Sequence, residues 1–292
     1  MKTPSEPEAR IRLPPKRPWG TVLPAVLGGS LVLLFLLPLL ALVTYAPPGE
    51  IFQEATNPGV LASLAVTLLA SGLALAITLA LGVPLGYLLA RRSFRGKALL
   101  HSVVTLPLVL PHLVAGLAIL LLFSPASPLG AWAVRLGFPV FETLWGVVLV
   151  MVYVSASYTV LSSELAFRAV DPSVLEAARS LGATPGEVTA SVTLPLAFRG
   201  IVAGALLSWA RAVSEIGGFL ILAYAVYPSA LYTGPVTSPI SVYIFNLYQL
   251  GDLSGAAAVS SLLVLIALTL FLAVRFVEGR GALPWVRGDL LP

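Results

Sequence analysis

The sequence predicts an all-α, polytopic membrane protein with six transmembrane helices. Of its 292 residues, 58% are hydrophobic and only 10% are charged, whereas soluble domains carry about 25% charged residues. Six apolar stretches are each long enough for a membrane span, which needs about 20 residues. Because basic residues in membrane proteins mark the cytoplasmic side, the net charge of +4 does not indicate a nucleic-acid surface. No nucleic acid is expected as a partner.

The N-terminal segment combines a basic, proline-rich region with a long apolar run. Residues 1–20 are predicted to form a cytoplasmic tail, and 22–46 to form the first span. A signal peptide is the alternative, because a basic region precedes an apolar one. The run exceeds the core of a signal peptide, which favours a retained helix. The transmembrane domain is predicted to cover 21–278, followed by a short cytoplasmic tail, 279–292.

Five further spans are predicted from apolar runs that end at charged or turn-forming residues. The second span ends at the basic turn that starts with Arg91. The third contains Pro107 and Pro111 and should therefore be kinked or broken. The predicted bounds are 60–90, 99–123, 143–167, 197–226 and 256–277.

Basic residues are concentrated in every second connection. The N-terminal tail, the second and fourth loops and the C-terminal segment are rich in them, whereas the first, third and fifth loops hold only Arg135. The positive-inside rule therefore places both termini in the cytoplasm. A multi-pass protein of the cell (cytoplasmic or inner) membrane, in contact with membrane lipid, is expected.

The loop at 171–195 is dense in helix start and stop signals. An Asp-Pro pair opens it, since the carboxylate caps free N–H groups and proline tolerates the first helical position. Gly182 lies where a helix would end in a left-handed turn. Thr184–Glu187 has the pattern of a capping box for a second helix. The sequence predicts a helix–turn–helix at the cytoplasmic membrane surface, which a Leu-Pro pair interrupts before the fifth span.

This loop resembles the EAA loop of bacterial and archaeal ABC importer permeases. The matching pattern is Glu-Ala-Ala, three residues, Gly, nine residues, Val in place of the commoner Ile, one residue, and Leu-Pro. In that family the loop docks into a groove of the ATP-binding subunit and transmits ATP-driven closure to the membrane helices. The alternative is a capped helix pair that only connects two spans. The resemblance implies an ATPase-coupling role for Glu176, Ala177, Ala178, Gly182, Val192, Leu194 and Pro195.

The third predicted span carries a second resemblance. Its segment LPLVLPHLVAG, which starts at Leu106, is similar to the third span of molybdate-type permeases, with His112 where the family often has a second proline. Freed backbone carbonyls are tolerated at membrane depth only beside protein or a water-filled cavity. Pro107, Pro111 and Gly116 are therefore predicted to lie beside the translocation path. His112 is expected to be satisfied by a backbone carbonyl.

Two charged residues fall inside the fifth predicted span. Arg211 and Glu215 are four residues apart and can pair, and unpaired charges at membrane depth are costly. A similar R-x-x-x-E-x-G segment lines the translocation path of molybdate, tungstate and sulfate permeases. The resemblance places Arg211, Ser214 and Glu215 near that path, and a buried structural ion pair is the alternative. Glu164 and Arg168 have the spacing of a second, structural pair.

The resemblance covers nearly all of the chain beyond the tail and implies the type I ABC importer permease fold. Such permeases act as a pair, here expected to be a homodimer, with two ATP-binding cassette subunits and an extracytoplasmic solute-binding protein. The chain lacks a P-loop pattern, so it is expected not to be an enzyme, and ATP and Mg are expected on the partner subunit. No cofactor or metal site is expected in this chain, which also has no cysteine.

The function implied is import of an oxyanion, molybdate or tungstate, by alternating access. Sulfate or thiosulfate is the close alternative, because these tetrahedral dianions are similar in size and charge. A proton-coupled secondary transporter is a further alternative. It would be expected to carry intramembrane acids in several helices, whereas Glu215 stands almost alone.

Overall fold

The computed structural model describes residues 19–279, which are almost entirely helical. The predicted tails, 1–20 and 279–292, lie outside the described residues except for their ends at Trp19–Gly20 and Gly279. A 3-10 turn at Leu106–Leu108 and a π-helical turn at Val188–Thr193 interrupt the regular helices. The α-helices are α1 (Trp19–Tyr45), α2 (Pro48–Thr56), α3 (Pro58–Arg91), α4 (Lys97–Thr105), α5 (His112–Phe123), α6 (Pro128–Arg135), α7 (Leu144–Arg168), α8 (Pro172–Ser180), α9 (Pro185–Glu187), α10 (Leu194–Val213), α11 (Gly217–Leu222), α12 (Ile240–Gln249) and α13 (Leu253–Gly279).

Five of the described helical segments are long and apolar enough to cross a membrane. A sixth span results if α4 and α5 are counted as one, and these two helices are bent by 112° at their junction. The predicted break in the third span is therefore confirmed. Its cause is local, because proline at positions 107 and 111 removes backbone donors and restricts the preceding residues.

The chain divides into two compact units, 1–45 and 46–292. The described part of the first unit is the single apolar helix α1, which contains Pro24 and Pro38. The second unit is a helical bundle with its main core around α3, α7 and α10. Its largest fully buried side chains include Phe167, Phe219 and Met151.

Small residues let α3 and α10 approach α7 closely from two sides. A Cβ on Gly86 of α3 would lie 2.7 Å from Ser163 Cβ and 2.8 Å from Val160 O of α7. A Cβ on Gly204 of α10 would collide with Ser162 Cβ. Since lipid tails are as apolar as leucine, close packing of small residues is a main source of helix association in membranes.

The fifth predicted span differs from the structure at both ends. The second helix of the loop does not stop at Leu194, because α9, the π-helical turn and α10 form one segment, Pro185–Val213. The wider π turn ends at Thr193, two residues before Pro195, whose ring would otherwise clash with the carbonyl four residues earlier. At its other end the predicted span, 197–226, is too long: α10 stops at Val213, and the short α11 follows after a break.

Three helices in the connections were not predicted. α2, α6 and α12 lie where the sequence predicted only loops, and each starts beside a proline. α6 has a clear local signal, because Ser127 caps it by accepting a 3.0 Å hydrogen bond from Gly130 N. α12 packs against α3 and α13, with Ile240 and Val242 buried, so its position depends on tertiary contacts.

Candidate functional site

The first half of the candidate coupling loop is the capped helix α8. Asp171 Oδ1 accepts a 2.8 Å hydrogen bond from Ser173 N, as the Asp-Pro start predicts. Backbone and side-chain hydrogen bonds from Ser173 hold the pKa of Asp171 below its ordinary value. The stabilisation by this cap is therefore fully present at a pH above the ordinary pKa of aspartate. It is lost as the pH falls through the lowered pKa of Asp171 in the folded chain.

The turn and the second helix also follow the sequence signals. Gly182 has φ +93°, in the left-handed region that favours glycine, and open space surrounds it. Thr184 N donates to Glu187 Oε2 at 2.7 Å, and Glu187 N donates to Thr184 Oγ1 at 3.4 Å. These two bonds form the predicted capping box.

The seven residues assigned to coupling divide into an exposed and an inward group. Leu175 is the buried residue of α8 and packs in a cluster with Phe167 and Val188. Ala178 and Val192 are partly buried against the same cluster. The remaining five are exposed: Glu176, Ala177, Gly182, Leu194 and Pro195. Glu176 is the one carboxylate among these five exposed residues, while the apolar side of the loop packs on the bundle.

The second candidate site is a cluster of three ionisable side chains at the break between α10 and α11. Arg211 Nη2 donates to Glu215 Oε2 at 2.7 Å, so the predicted pair forms. His112, the first residue of α5, lies 3.2 Å from Glu215 Oε2 through Nδ1 and 3.0 Å from Arg211 Nη2 through Nε2. A neutral imidazole with its proton on Nδ1 satisfies both contacts, by donating to the carboxylate and accepting from the guanidinium.

Glu215 is the central member of this cluster. Its side chain is fully buried, and its Oε1 accepts a 2.8 Å hydrogen bond from Gly218 N. Its backbone carbonyl accepts a 2.6 Å hydrogen bond from Ser241 Oγ at the start of α12. One residue therefore links four elements, α5, α10, α11 and α12, which is consistent with a structural role as well as with a role in the path.

The cluster has one open side. His112 is 49% exposed, Arg211 is 15% exposed, and Ser214 is exposed beside them. Arg211 Nη1 is buried and has no hydrogen-bond partner, which leaves part of the cation unsatisfied. An anion that reached this side would meet the Arg211 guanidinium, because both nitrogens of the His112 ring contact protein partners and the Ser214 hydroxyl donates to Arg211 O at 3.1 Å.

The partner predicted for His112, a backbone carbonyl, was wrong. His112 contacts Glu215 and Arg211 instead. The rule that polar groups at membrane depth pair with one another could have suggested this contact, but the break after Pro111 is needed to aim the ring at the fifth-span pair.

Glycines bring α5 to this position. A Cβ on Gly116 would lie 2.7 Å from Gly218 Cα, and a Cβ on Gly217 would lie 2.6 Å from His112 Cβ. α5 therefore crosses α11 at backbone contact. Of the third-span residues assigned to the path, Gly116 fixes this crossing, while Pro107 lies in the 3-10 turn and Pro111 at the break.

The other histidine of the chain forms a related contact on the other arm of the bent pair. His101 Nε2, in α4, lies 3.5 Å from Glu164 Oε2, and Arg168 Nη2 donates to Glu164 Oε1 at 2.6 Å. Glu164 is buried, and the predicted pair with Arg168 forms. Both helices of the bent pair, α4 and α5, thus contact a buried glutamate through a histidine. In each case an arginine pairs with that glutamate. Among the described residues, no group of three or more metal-ligating side chains is arranged to hold an ion.

Comparison with known proteins is consistent with this architecture. A family profile described as "binding-protein-dependent transport system inner membrane component" matches residues 82–280. The chain belongs to this family. It is 38% identical over 260 residues to a probable molybdenum ABC transporter permease protein of Haloferax volcanii, covering 89% of this chain and 90% of that protein. The predicted resemblance to ABC importer permeases of the molybdate/tungstate group is confirmed, and with it the multi-pass membrane localisation.

Two further relatives carry different substrate names. The molybdate/tungstate transport system permease protein WtpB of Pyrococcus furiosus is 34% identical over 259 residues, covering 88% of this chain and 94% of that protein. The sulfate transport system permease protein CysT of Escherichia coli is 31% identical over 260 residues, covering 87% and 91%. These relatives are permease subunits rather than catalytic subunits.

The fold of this permease matches that of solved importers. A chain from the crystal structure of a bacterial alginate ABC transporter, in complex with an alginate-bound periplasmic protein, aligns with a TM-score of 0.68 and 18% identity. The match covers 91% of this chain and 98% of that chain. At this identity the match establishes the importer permease fold and nothing about the transported solute.

Proposed function

We propose that the chain is the transmembrane subunit of an ATP-driven importer that carries molybdate or tungstate into the cytoplasm. The observation that supports this most strongly is the 38% identity to the Haloferax permease over 89% of the chain. The 34% identity to the Pyrococcus molybdate/tungstate permease adds to it. Both relatives are matched over most of their length, so the proposal concerns the whole membrane domain.

The proposed assembly follows the family pattern. Two copies of this chain form the membrane pore with six spans each and both termini in the cytoplasm. Two ATP-binding cassette subunits, which hold ATP and Mg, dock on the exposed face of the coupling loop at Glu176, Ala177 and Gly182. A solute-binding protein delivers the oxyanion from the other side of the membrane. ATP binding closes the cassette dimer, and the loop transmits that movement through its inner cluster to α7 and α10.

We further propose that the open side of the charge cluster lies on the translocation path. A dianion at membrane depth needs compensating positive charge, and Arg211 supplies it beside the hydroxyl of Ser214. Glu215 neutralises the arginine when no substrate is present. The paired carboxylate also prevents tight anion retention, which a transport site must avoid because its substrate has to leave.

Sulfate remains the second candidate, because the Escherichia coli sulfate permease is 31% identical to this chain over 87% of its length. Uptake by cells that express the full transporter separates the two candidates. We expect accumulation of tungstate that a tenfold excess of molybdate suppresses and an equal excess of sulfate does not. Sulfate uptake that tungstate fails to suppress would contradict the molybdate/tungstate proposal while leaving the importer assignment intact.

A further inference from the structure

A basic pocket lies between the end of α3 and the coupling loop. Its volume is about 460 Å³, and α8, α9 and the π-helical turn form its other walls. Tyr87 and Thr189 line it and share a 2.9 Å hydroxyl–hydroxyl contact. The pocket is separate from the charge cluster around Glu215, and none of its residues takes part in that cluster.

The charges that line this pocket are unbalanced. Arg91, Arg92 and Arg179 face a single carboxylate, Glu176, which leaves an excess of two positive charges. In the described part of the chain, none of these four residues forms an ion pair. Like charges held together without a counter-ion repel one another, so the arrangement favours a bound anion.

Arg91 is the partly buried arginine of this pocket, whereas Arg92 and Arg179 are exposed. Arg91 Nη2 makes one long hydrogen bond of 3.5 Å to Val170 O, and its Nε is buried without a partner. A guanidinium has five donors in a fork that fits the oxygens of tetrahedral oxyanions. Arg91 therefore has N–H donors that no other described residue of the chain accepts from. At Nε, the solvent does not accept either, because this atom is buried.

We propose that this pocket binds a phosphate-type tetrahedral oxyanion between Arg91 and Arg179. The bound group would connect the end of α3 to the coupling helix α8 and so stiffen the loop against the bundle. Two sources share this chemistry: the phosphate of an anionic lipid headgroup, and a free oxyanion in the cytoplasm. The site is independent of which solute crosses the membrane, because it is defined by residues outside the charge cluster.

The test is the thermal stability of the full chain, purified in neutral detergent, at constant ionic strength. We expect added phosphate, tungstate or dioleoyl phosphatidylglycerol to raise the unfolding midpoint, as any ligand specific to the folded state does. Arg179→Gln and Arg91→Gln should weaken the apparent affinity by about tenfold or more. Arg95→Gln is the matched control, because Arg95 is an exposed residue of the same basic turn that does not line the pocket.

The outcomes separate the sources and can overturn the proposal. A response to phosphate or tungstate that Arg179→Gln weakens assigns a free anion to the pocket, whereas a response to phosphatidylglycerol but not to free anions or phosphatidylcholine assigns a headgroup. The absence of any response in wild type, or equal responses in wild type, Arg179→Gln and Arg95→Gln, would overturn the site. A second result would also overturn it: binding of an ATP-binding subunit abolishes the anion response, and Arg91→Gln weakens the binding of that subunit. A carboxylate of the partner would then occupy the pocket.

Discussion

Replacing Glu215 by glutamine is expected to destabilise the folded chain by about 3–5 kcal/mol, the usual result of removing one partner of a buried ion pair. The side chain is fully buried and neutralises Arg211 at 2.7 Å. Glutamine keeps the shape but leaves the guanidinium without a counter-ion. The measurement is the unfolding midpoint of the purified chain, together with substrate uptake by the reconstituted transporter.

The double variant Arg211→Gln/Glu215→Gln separates the structural role from the path role. Removing both charges should restore much of the lost stability, because no uncompensated charge remains. Uptake should stay low if Arg211 meets the substrate. Full recovery of uptake would instead make the pair purely structural, and a double variant as unstable as Glu215→Gln would contradict the pairing itself. Glu142→Gln is the control, since Glu142 makes no ion pair within the described residues.

Replacing Gly182 by valine is expected to lower ATP-driven uptake by about tenfold while the bundle stays folded. The left-handed backbone, with φ +93°, costs an L-residue about 1–2 kcal/mol, and a β-branched side chain tolerates it least. The turn between α8 and α9 would then shift, and the exposed face that we propose as the ATPase docking face would shift with it. Uptake and ATP hydrolysis are measured on the same preparation.

Two substitutions control for side-chain size. Gly182→Asn should retain most of the uptake, because asparagine adopts the left-handed conformation more readily than other residues. Gly186→Val adds the same bulk in open space, where the backbone has no positive φ, and should also retain it. Equal losses in all three variants would indicate that bulk at the docking face matters, rather than the turn.

The coupling loop could be predicted closely from the sequence because its signals are local. The cap at Asp171, the left-handed glycine at 182 and the capping box each involve residues within three positions of one another. The presence of long apolar helices was predictable for a similar reason, from length and composition, whereas the end of the fifth predicted span was wrong because α10 stops at Val213. The continuation of the loop into α10 was missed, because the sequence contains no simple signal for a π turn before Pro195.

The geometry of the charge cluster could only be predicted in part. The Arg211–Glu215 pair is four residues apart and follows from helical spacing. His112 is 99 residues away from Arg211 in the sequence, and its position depends on the break at Pro111 and on the contact of Gly116 with Gly218. Long-range contacts of this kind are set by packing. The same holds for α12, whose burial against α3 and α13 has no pattern of its own in the sequence.

In the proposed function, this chain couples ATP hydrolysis in a partner subunit to solute import. The most direct measurement is ATP hydrolysis by the chain co-purified with an ATP-binding subunit of its own organism, as solute-binding protein is added with and without tungstate. We expect a stable complex whose hydrolysis rises with the loaded binding protein and falls in Gly182→Val. Failure of the subunits to associate, with uptake driven by an ion gradient instead, would contradict the account.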